Sequence, residues 1–247
     1  MITFSTCIYK LRSKFDISIY QSWLKKMNVS CNLVIYTNEE LYDFVSQFAK
    51  PNHKIVKKEI SEFYNYRYKY SWEENHTKNE SLKHTSWELN MLWSEKIHFV
   101  NETVEKRYFD TEFYGWIDVG YFREDYTVTN WPNPDKIKTL ESKIYYACVN
   151  NDENYINYIE NLVRTNQRLP NDQVSIGGGF FILPKEQINW WTDTYDTKLK
   201  SYFDNKFLVK DDQIIIADCI FNNKEKFVLI KENDKYDNWF MFLRFLC

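Results

Sequence analysis

The sequence is poor in the residues that build special chain architectures. It contains only 5 glycines and 5 prolines in 247 residues, which excludes collagen-like and linker-dominated proteins. No apolar run approaches the roughly 18 residues that a membrane helix needs. The formal net charge of -3 provides no basic field for a phosphate backbone, so we expect no nucleic-acid partner.

The few cysteines and histidines form no recognisable metal or disulfide pattern. The 5 cysteines are an odd number and are widely scattered without a CxxC pair, and the 4 histidines show neither HxxxH nor HxH spacing. We therefore expect a reducing compartment. The first residues lack the features of a signal peptide, so the prediction is a cytoplasmic protein. GxSxG, P-loop and GxGxxG fingerprints are also missing from the sequence.

Aromatic side chains are the residues present in excess, at 19% of the chain. Tyr and Trp combine an apolar body with a polar edge, which suits stacking on a sugar or a base. The chain is also rich in Asn, Lys and Ile, as AT-rich coding sequence would produce. Composition alone leaves both explanations open.

The alternation of apolar segments in the first part of the chain predicts an α/β fold. The predicted strands are 2–9, 32–36 and 53–58. Helical spacing of apolar residues lies between them, over 17–27 and up to Phe48. This alternation favours a mostly parallel central sheet flanked by helices. With neither a linker nor an internal repeat, residues 1–247 are predicted to form a single domain.

Later segments give predictions of mixed type. Residues 61–82 are polar and aromatic without a clean period, which predicts an insertion or a long surface loop. Residues 85–88 fit a capping box that begins a helix to about Asn101. Residues 113–122 are typical of a strand, and Pro184 suits the first turn of a further helix.

Asp118 is the first candidate site residue. It follows a run of apolar residues typical of a central strand, and ligands of open α/β sheets bind beyond the carboxyl ends of strands. A carboxylate there can hold a divalent cation or a ribose hydroxyl, whereas the alternative is a turn residue that bonds local backbone. Gly120 would let a ligand or another segment approach the backbone closely.

Lys96 is the second candidate, because it interrupts an apolar helical stripe. It lies seven residues after Leu89 and four before Val100, on the same face. A lysine in this position either extends to solvent or meets an anion in a cleft.

A glycine run and an acidic pair complete the candidates. Gly177, Gly178 and Gly179 lie inside a predicted strand, which indicates a bulge or a ligand against bare backbone. Asp211 and Asp212 begin a short apolar helix, where they can act as caps. A carboxylate at that position can also serve as a base or bind a substrate hydroxyl.

Taken together, these segments resemble HtrL/YibB-type proteins. Residues 93–100 and 116–123 are similar to the W-x-x-K-x-x-F-V and W-I-D-x-G-x-x-R signatures of that family, and 178–181 and 210–213 to its G-G-F-F and K-D-Q segments. Such proteins are regarded as glycosyltransferases that use a nucleotide-sugar donor. The resemblance therefore implies a GT-A-like, Rossmann-type domain that transfers a sugar to a glycan or another hydroxyl acceptor.

The resemblance also implies roles on the donor side. Asp118 would take the first position of the GT-A D-x-D motif, binding the ribose and, through Mn²⁺ or Mg²⁺, the diphosphate. Gly120 replaces the last carboxylate of that motif. Lys96 and Arg123 would neutralise the diphosphate, and Thr6 of the first strand is assigned to the nucleotide. UDP is the expected carrier.

On the acceptor side, the resemblance places Gly178, Gly179 and Gln213 against the donor sugar or the acceptor. Asp212 would take the acceptor proton or position the acceptor. The alternative function is a non-catalytic carbohydrate-binding module on a transferase-like fold. The two functions differ in whether a nucleoside diphosphate binds.

Overall fold

One mixed sheet runs through the part of the chain that the computed structural model describes, residues 1–123, 130–232 and 237–247. Its strands are β1 (Ile2–Ile8), β2 (Asn32–Thr37), β3 (His53–Lys57), β4 (Phe113–Ile117), β5 (Ile144–Cys148), β6 (Ile176–Pro184) and β7 (Phe227–Ile230). Their order across the sheet is β3-β2-β1-β4-β6-β5-β7. Only β6 runs antiparallel to its neighbours among the described strands, which confirms the mostly parallel sheet.

Helices cover both faces of this sheet. They are α1 (Ile17–Lys26), α2 (Glu39–Ser46), α3 (Lys69–Thr77), α4 (Trp87–Glu105), α5 (Pro134–Lys138), α6 (Glu153–Arg164), α7 (Ile188–Asp204), α8 (Asp212–Asn222) and α9 (Met241–Phe245). Trp116 of β4 packs in the core cluster on the α4 face, and the next residue, Ile117, packs in the cluster on the α1 face. Among the described residues, no helix has the length and apolarity needed to cross a membrane.

Three predicted boundaries were wrong. β4 ends at Ile117 rather than at residue 122, because residues 119–122 form a 3₁₀ helix in which the amide of Tyr121 donates to the carbonyl of Asp118. The N-cap of α4 is Ser86, and it accepts no side-chain cap bond, so the predicted capping box does not form. Pro184 closes β6 and is the N-cap of a 3₁₀ helix over 185–187 that leads into α7, so it precedes the first turn rather than lying in it.

Residues 61–82 correct a further expectation, because they do not form a surface loop. The segment contains one complete 3₁₀ helix, α3 and parts of two further 3₁₀ helices, and it packs on α4. Trp72 is fully buried in the core on that face, and the Asn75 side chain exchanges two hydrogen bonds with the backbone of Val209. Phe63 and Trp72 of this segment therefore supply core, although the spacing of its aromatic residues follows neither a helical nor a strand period.

The topology brings distant parts of the chain to one edge of the sheet. The carboxyl end of β4 and the start of the antiparallel β6 meet there, since Ile117 pairs with Phe180. The amide of Asp118 continues this ladder by donating to the carbonyl of Gly179, at 2.9 Å. α4 packs against β1 and β4, and α8 packs against β6. Two strand ends and two helices thus surround one space.

Candidate active site

A cavity of about 390 Å³ opens at this edge of the sheet. Its size lies within the range of small-molecule sites, about 300–1,000 Å³. It is lined by nine residues that the sequence singled out: Lys96, Asp118, Gly120, Arg123, Gly178, Gly179, Asp211, Asp212 and Gln213. A second cavity of about 270 Å³ lies at the end of β1 and shares Asp118, Gly120 and Arg123 with the first.

Asp118 is held in a fixed position directly after β4. Its Oδ1 atom accepts a hydrogen bond of 2.6 Å from Nε1 of the buried Trp116. The carboxylate accepts no cap bond from the 3₁₀ helix that follows it. Its side chain is 39% exposed, so oxygen lone pairs remain open to the cavity. The Asp118 side chain therefore does not cap the turn that follows it, and part of its carboxylate faces the cavity.

Lys96 lies at the centre of the site and does not reach solvent. Its side chain is 7% exposed, and Nζ donates to the carbonyl of Gly178 at 2.9 Å. The same Nζ lies 3.3 Å from Oδ1 of Asp118 and 3.1 Å from Oδ2 of Asp212. Burial disfavours the charge of Lys96, but the two carboxylates outweigh burial and raise its pKa above the ordinary lysine value. The ammonium therefore joins two carboxylates from different elements.

Asp211 and Asp212, which the sequence predicts as helix caps or as a base, have different contacts in the structure. Asp211 is the N-cap of α8, and its Oδ1 accepts from the amide of Gln213 at 3.1 Å. The Asp212 side chain is 7% exposed. Its Oδ2 forms an ion pair with Nζ of Lys96 but has no well-aligned hydrogen bond to a described residue. Burial raises the pKa of Asp212 to about 7, although Lys96 opposes this effect. Asp212 can thus exchange a proton near neutral pH.

The glycines allow these carboxylates to approach the sheet. A Cβ atom on Gly178 would lie 2.7 Å from Oδ2 of Asp212, and one on Gly179 would lie 3.3 Å from Oδ2 of Asp118. Glycine therefore avoids close contacts at these two positions, because the carboxylates of Asp212 and Asp118 lie close to where Cβ atoms would be. No described glycine has a positive φ, so backbone conformation is not the reason for glycine here.

Arg123 provides a second cation on the cavity wall. Its guanidinium carbon lies 5.0 Å from the ring centre of Trp23 and 5.4 Å from that of Phe240, and Nε donates to the carbonyl of Gly120. A Cβ on Gly120 would lie 3.1 Å from the Trp23 ring, a tight contact that glycine avoids. Since no described carboxylate pairs with Arg123, its charge is available to an anionic ligand.

Besides Gly177, whose added Cβ would meet Val149, Thr6 is the predicted site residue that the structure does not bring to the cavity. It is fully buried in β1, and neighbouring Cys7 and Ile8, rather than Thr6, line the second cavity. Side chains alternate along a strand, and Thr6 shares the face of Phe4 and Ile8, which packs in the core cluster on the α1 side. The Thr6 side chain therefore lies in the core and not in a cavity where it could contact the nucleotide, contrary to the expectation.

Sequence reasoning missed the wall formed by the C-terminal segment. Asp237, Trp239 and Phe240 line the cavity opposite strands that precede them by more than fifty residues. The Asp237 carboxylate accepts from the amide of Trp239 and begins a short 3₁₀ helix. A capping aspartate was the available signal, but the aromatic run after it indicated only packing.

Comparison with known proteins assigns the chain to a family. The sequence profile of the family described as "bacterial protein of unknown function (HtrL_YibB)" matches residues 46–246. The chain belongs to this family. The search among curated proteins found no match.

Comparison with solved structures places the fold. The crystal structure of mouse xyloside xylosyltransferase 1 in its apo form is similar, with a TM-score of 0.54. The match covers 94% of this chain and 86% of that chain, at 11% sequence identity. At this identity the likeness shows a glycosyltransferase-like fold and nothing about substrates.

Proposed function

We propose that this HtrL/YibB-family protein is a glycosyltransferase that moves a sugar from a nucleotide-sugar donor, with UDP as the carrier, to a hydroxyl of a glycan or another acceptor. One observation carries the proposal. Lys96 joins Asp118 and Asp212 in a cavity at the carboxyl edge of a glycosyltransferase-like sheet. Ligands of open α/β sheets bind at this edge.

The charge of the cavity supports a divalent cation as cofactor. Its described lining carries four carboxylates and two cations, which are Asp118, Asp211, Asp212, Asp237, Lys96 and Arg123. The excess of negative charge would repel a diphosphate unless a cation accompanied it. The described residues contain no group of three metal-binding side chains, so the diphosphate itself would have to complete the coordination.

Asp118 fits the role of the protein ligand to such an ion. It is the carboxylate with open lone pairs beside the 3₁₀ turn, and Mn²⁺ or Mg²⁺ there would neutralise the leaving diphosphate. Arg123, which pairs with no carboxylate among the described residues, would add its charge from the neighbouring wall. Lys96 would hold Asp118 and Asp212 in place while donating to the Gly178 carbonyl.

Asp212 fits the role of the group that receives the acceptor proton. In the transfer, a bond forms between the acceptor oxygen and the anomeric carbon, and the bond from that carbon to the diphosphate breaks. The proton of the acceptor hydroxyl passes to the Asp212 carboxylate. A pKa of about 7 suits a base that works near neutral pH.

A nucleotide panel tests the proposal. Thermal unfolding is measured with UDP, GDP, CMP and dTDP, each with and without Mn²⁺. We expect UDP with Mn²⁺ to stabilise the fold, by about 2.7 kcal/mol at a hundredfold excess over Kd. Stabilisation by no nucleotide would contradict the proposal and favour a carbohydrate-binding module.

A further inference from the structure

The cavity has an aromatic wall that the proposed donor chemistry does not use. Trp239 lines it and is 40% exposed, although its indole is a large apolar group. The amide of Trp239 is anchored by Oδ1 of Asp237 at 3.0 Å, and the Asp237 carbonyl accepts from Arg244. The backbone that carries the ring is therefore held in place, and the ring is left open to the cavity.

Polar side chains line the same cavity as this ring. Gln213 lines the same cavity. Its backbone amide donates to Asp211, whereas its side-chain carboxamide has no hydrogen bond to a described residue. Asp237 also lines the cavity, with one carboxylate oxygen beyond the one that holds the Trp239 amide. An exposed ring beside carboxylate and amide groups presents both surfaces that a pyranose needs: an apolar plane for its C–H face and acceptors for its hydroxyls.

The position of Asp212 indicates which substrate meets this wall. The second cavity, at the end of β1, shares Asp118 and Arg123 with the first but contains neither Asp212 nor Trp239. A donor whose diphosphate lies at Asp118 and Arg123 can thus place its nucleoside in the second cavity. The space beside Asp212 and Trp239 remains for the transferred sugar and the acceptor.

We propose that Trp239, with Gln213 and Asp237, forms the acceptor subsite and that the acceptor is a saccharide whose pyranose ring stacks on the indole. This inference rests on the proposed function and narrows its acceptor to a sugar. A lipid acceptor would need a continuous apolar groove, whereas carboxylates and an amide interrupt the described lining here.

Saturation-transfer NMR tests the subsite without knowledge of the natural acceptor. The probes are methyl glycosides of glucose, galactose, mannose, xylose and N-acetylglucosamine, each added to protein loaded with UDP and Mn²⁺. We expect at least one probe to bind the wild type. Trp239→Ala should weaken that binding by about tenfold or more, and Trp239→Phe should largely keep it, because Phe retains a ring.

Two further variants make the result specific. Trp239→Leu keeps apolar bulk without a ring and should lose the probe as Trp239→Ala does, whereas binding retained by Leu would overturn the stacking. Tyr158→Ala removes an aromatic side chain that is 51% exposed outside the cavity and should change nothing. UDP affinity should be unchanged in every variant.

The remaining outcomes separate this inference from the proposed function. If UDP binds the wild type but no glycoside does, or if Trp239→Ala binds the glycoside as well as the wild type, the saccharide subsite is wrong while the transferase proposal stands. If UDP itself fails to bind, the proposed function is wrong and the subsite loses its basis.

Discussion

Two buried carboxylates, Glu95 of α4 and Asp212 of α8, have similarly raised pKa values but different hydrogen-bond partners. Burial raises the pKa of both Glu95 and Asp212 to about 7. The Glu95 oxygens accept the backbone amides of Tyr64 and Asn65, at 2.6 and 2.9 Å. Asp212 instead faces the cavity beside Lys96, without an aligned hydrogen bond to its Oδ2. A shifted pKa alone therefore does not distinguish these two carboxylates, whereas their hydrogen bonds do.

The contrast continues along α4 itself. Glu95 and Lys96 are consecutive, so they point to different sides of the helix. Glu95 fastens the segment 63–68 to the core, and Lys96 joins the two carboxylates of the cavity. One helix thus serves the fold with one residue and the site with the next.

The largest expected difference lies in catalysis. Asp212→Asn should lower kcat by about 10²–10⁴, because an amide cannot receive the acceptor proton. UDP affinity should stay near the wild-type value. The assay is release of UDP from whichever UDP-sugar the wild type turns over.

Asp211→Asn is the matched control for this change. Asn caps a helix about as well as Asp, so the variant should be mild in both activity and stability. If Asp211→Asn is the severe variant, Asp211 is the base; if both are mild, neither aspartate takes the proton.

Glu95→Ala should lower the stability of the fold and leave ligand binding unchanged. The buried amide of Asn65 and the part-buried amide of Tyr64 would lose their acceptor, which should cost about 2–5 kcal/mol of unfolding free energy in urea titrations. The folded variant should bind UDP like the wild type. Glu105→Ala, an exposed residue on the same helix, should change stability by less than about 0.5 kcal/mol. Equal losses in both variants would show that Glu95 is not the anchor of segment 63–68.

The pH dependence of stability gives a smaller, signed test of Glu95. Its pKa in the folded state lies above the ordinary value of 4.5, so its stabilising contribution is complete at low pH and is lost as pH rises to about 7. The stability difference between wild type and Glu95→Gln should shrink by about 1–3 kcal/mol from about pH 5 to about pH 8. Taking the difference removes the titration of His98 and His53. A difference that grows with pH would mean that the folded pKa is lowered.

Lys96→Met should have the smallest effect, a loss of about tenfold in UDP affinity measured by calorimetry. Methionine keeps the apolar helix face, but the cavity becomes more negative by one charge. Lys58→Met removes a lysine that pairs with Glu102 outside the cavity and should leave the affinity unchanged. If Lys96→Met binds UDP normally, the ion pairs of Lys96 stabilise the fold and do not serve the ligand.

The sequence predicted the sheet and most of the site for identifiable reasons. β1 and β2 are short runs of β-branched and apolar residues, which are typical of strands rather than loops. Lys96 on an apolar stripe and Asp118 after an apolar strand stood out because each broke a local pattern. The ends of parallel strands share an edge, and that rule brought Asp118 into the site.

Other features depended on contacts that no local pattern records. Segment 61–82 is helical because Glu95 holds its backbone and Trp72 enters the core, and both are tertiary effects. Thr6 was misplaced because strand alternation decides which face each side chain takes, and the register was not visible. Trp239 reaches the cavity only through the path of the C-terminal segment.

Calorimetric titration of UDP with Mn²⁺ into wild type, Asp118→Asn and Glu95→Gln tests the central claim most directly. Asp118→Asn is nearly isosteric but offers no anionic oxygen to a cation, so it should lose UDP binding and its Mn²⁺ dependence. Glu95→Gln removes the other kind of buried carboxylate and should bind UDP with the wild-type affinity. Equal UDP binding by wild type and Asp118→Asn, with the same response to Mn²⁺, would contradict the assignment of this cavity to a nucleotide-sugar donor.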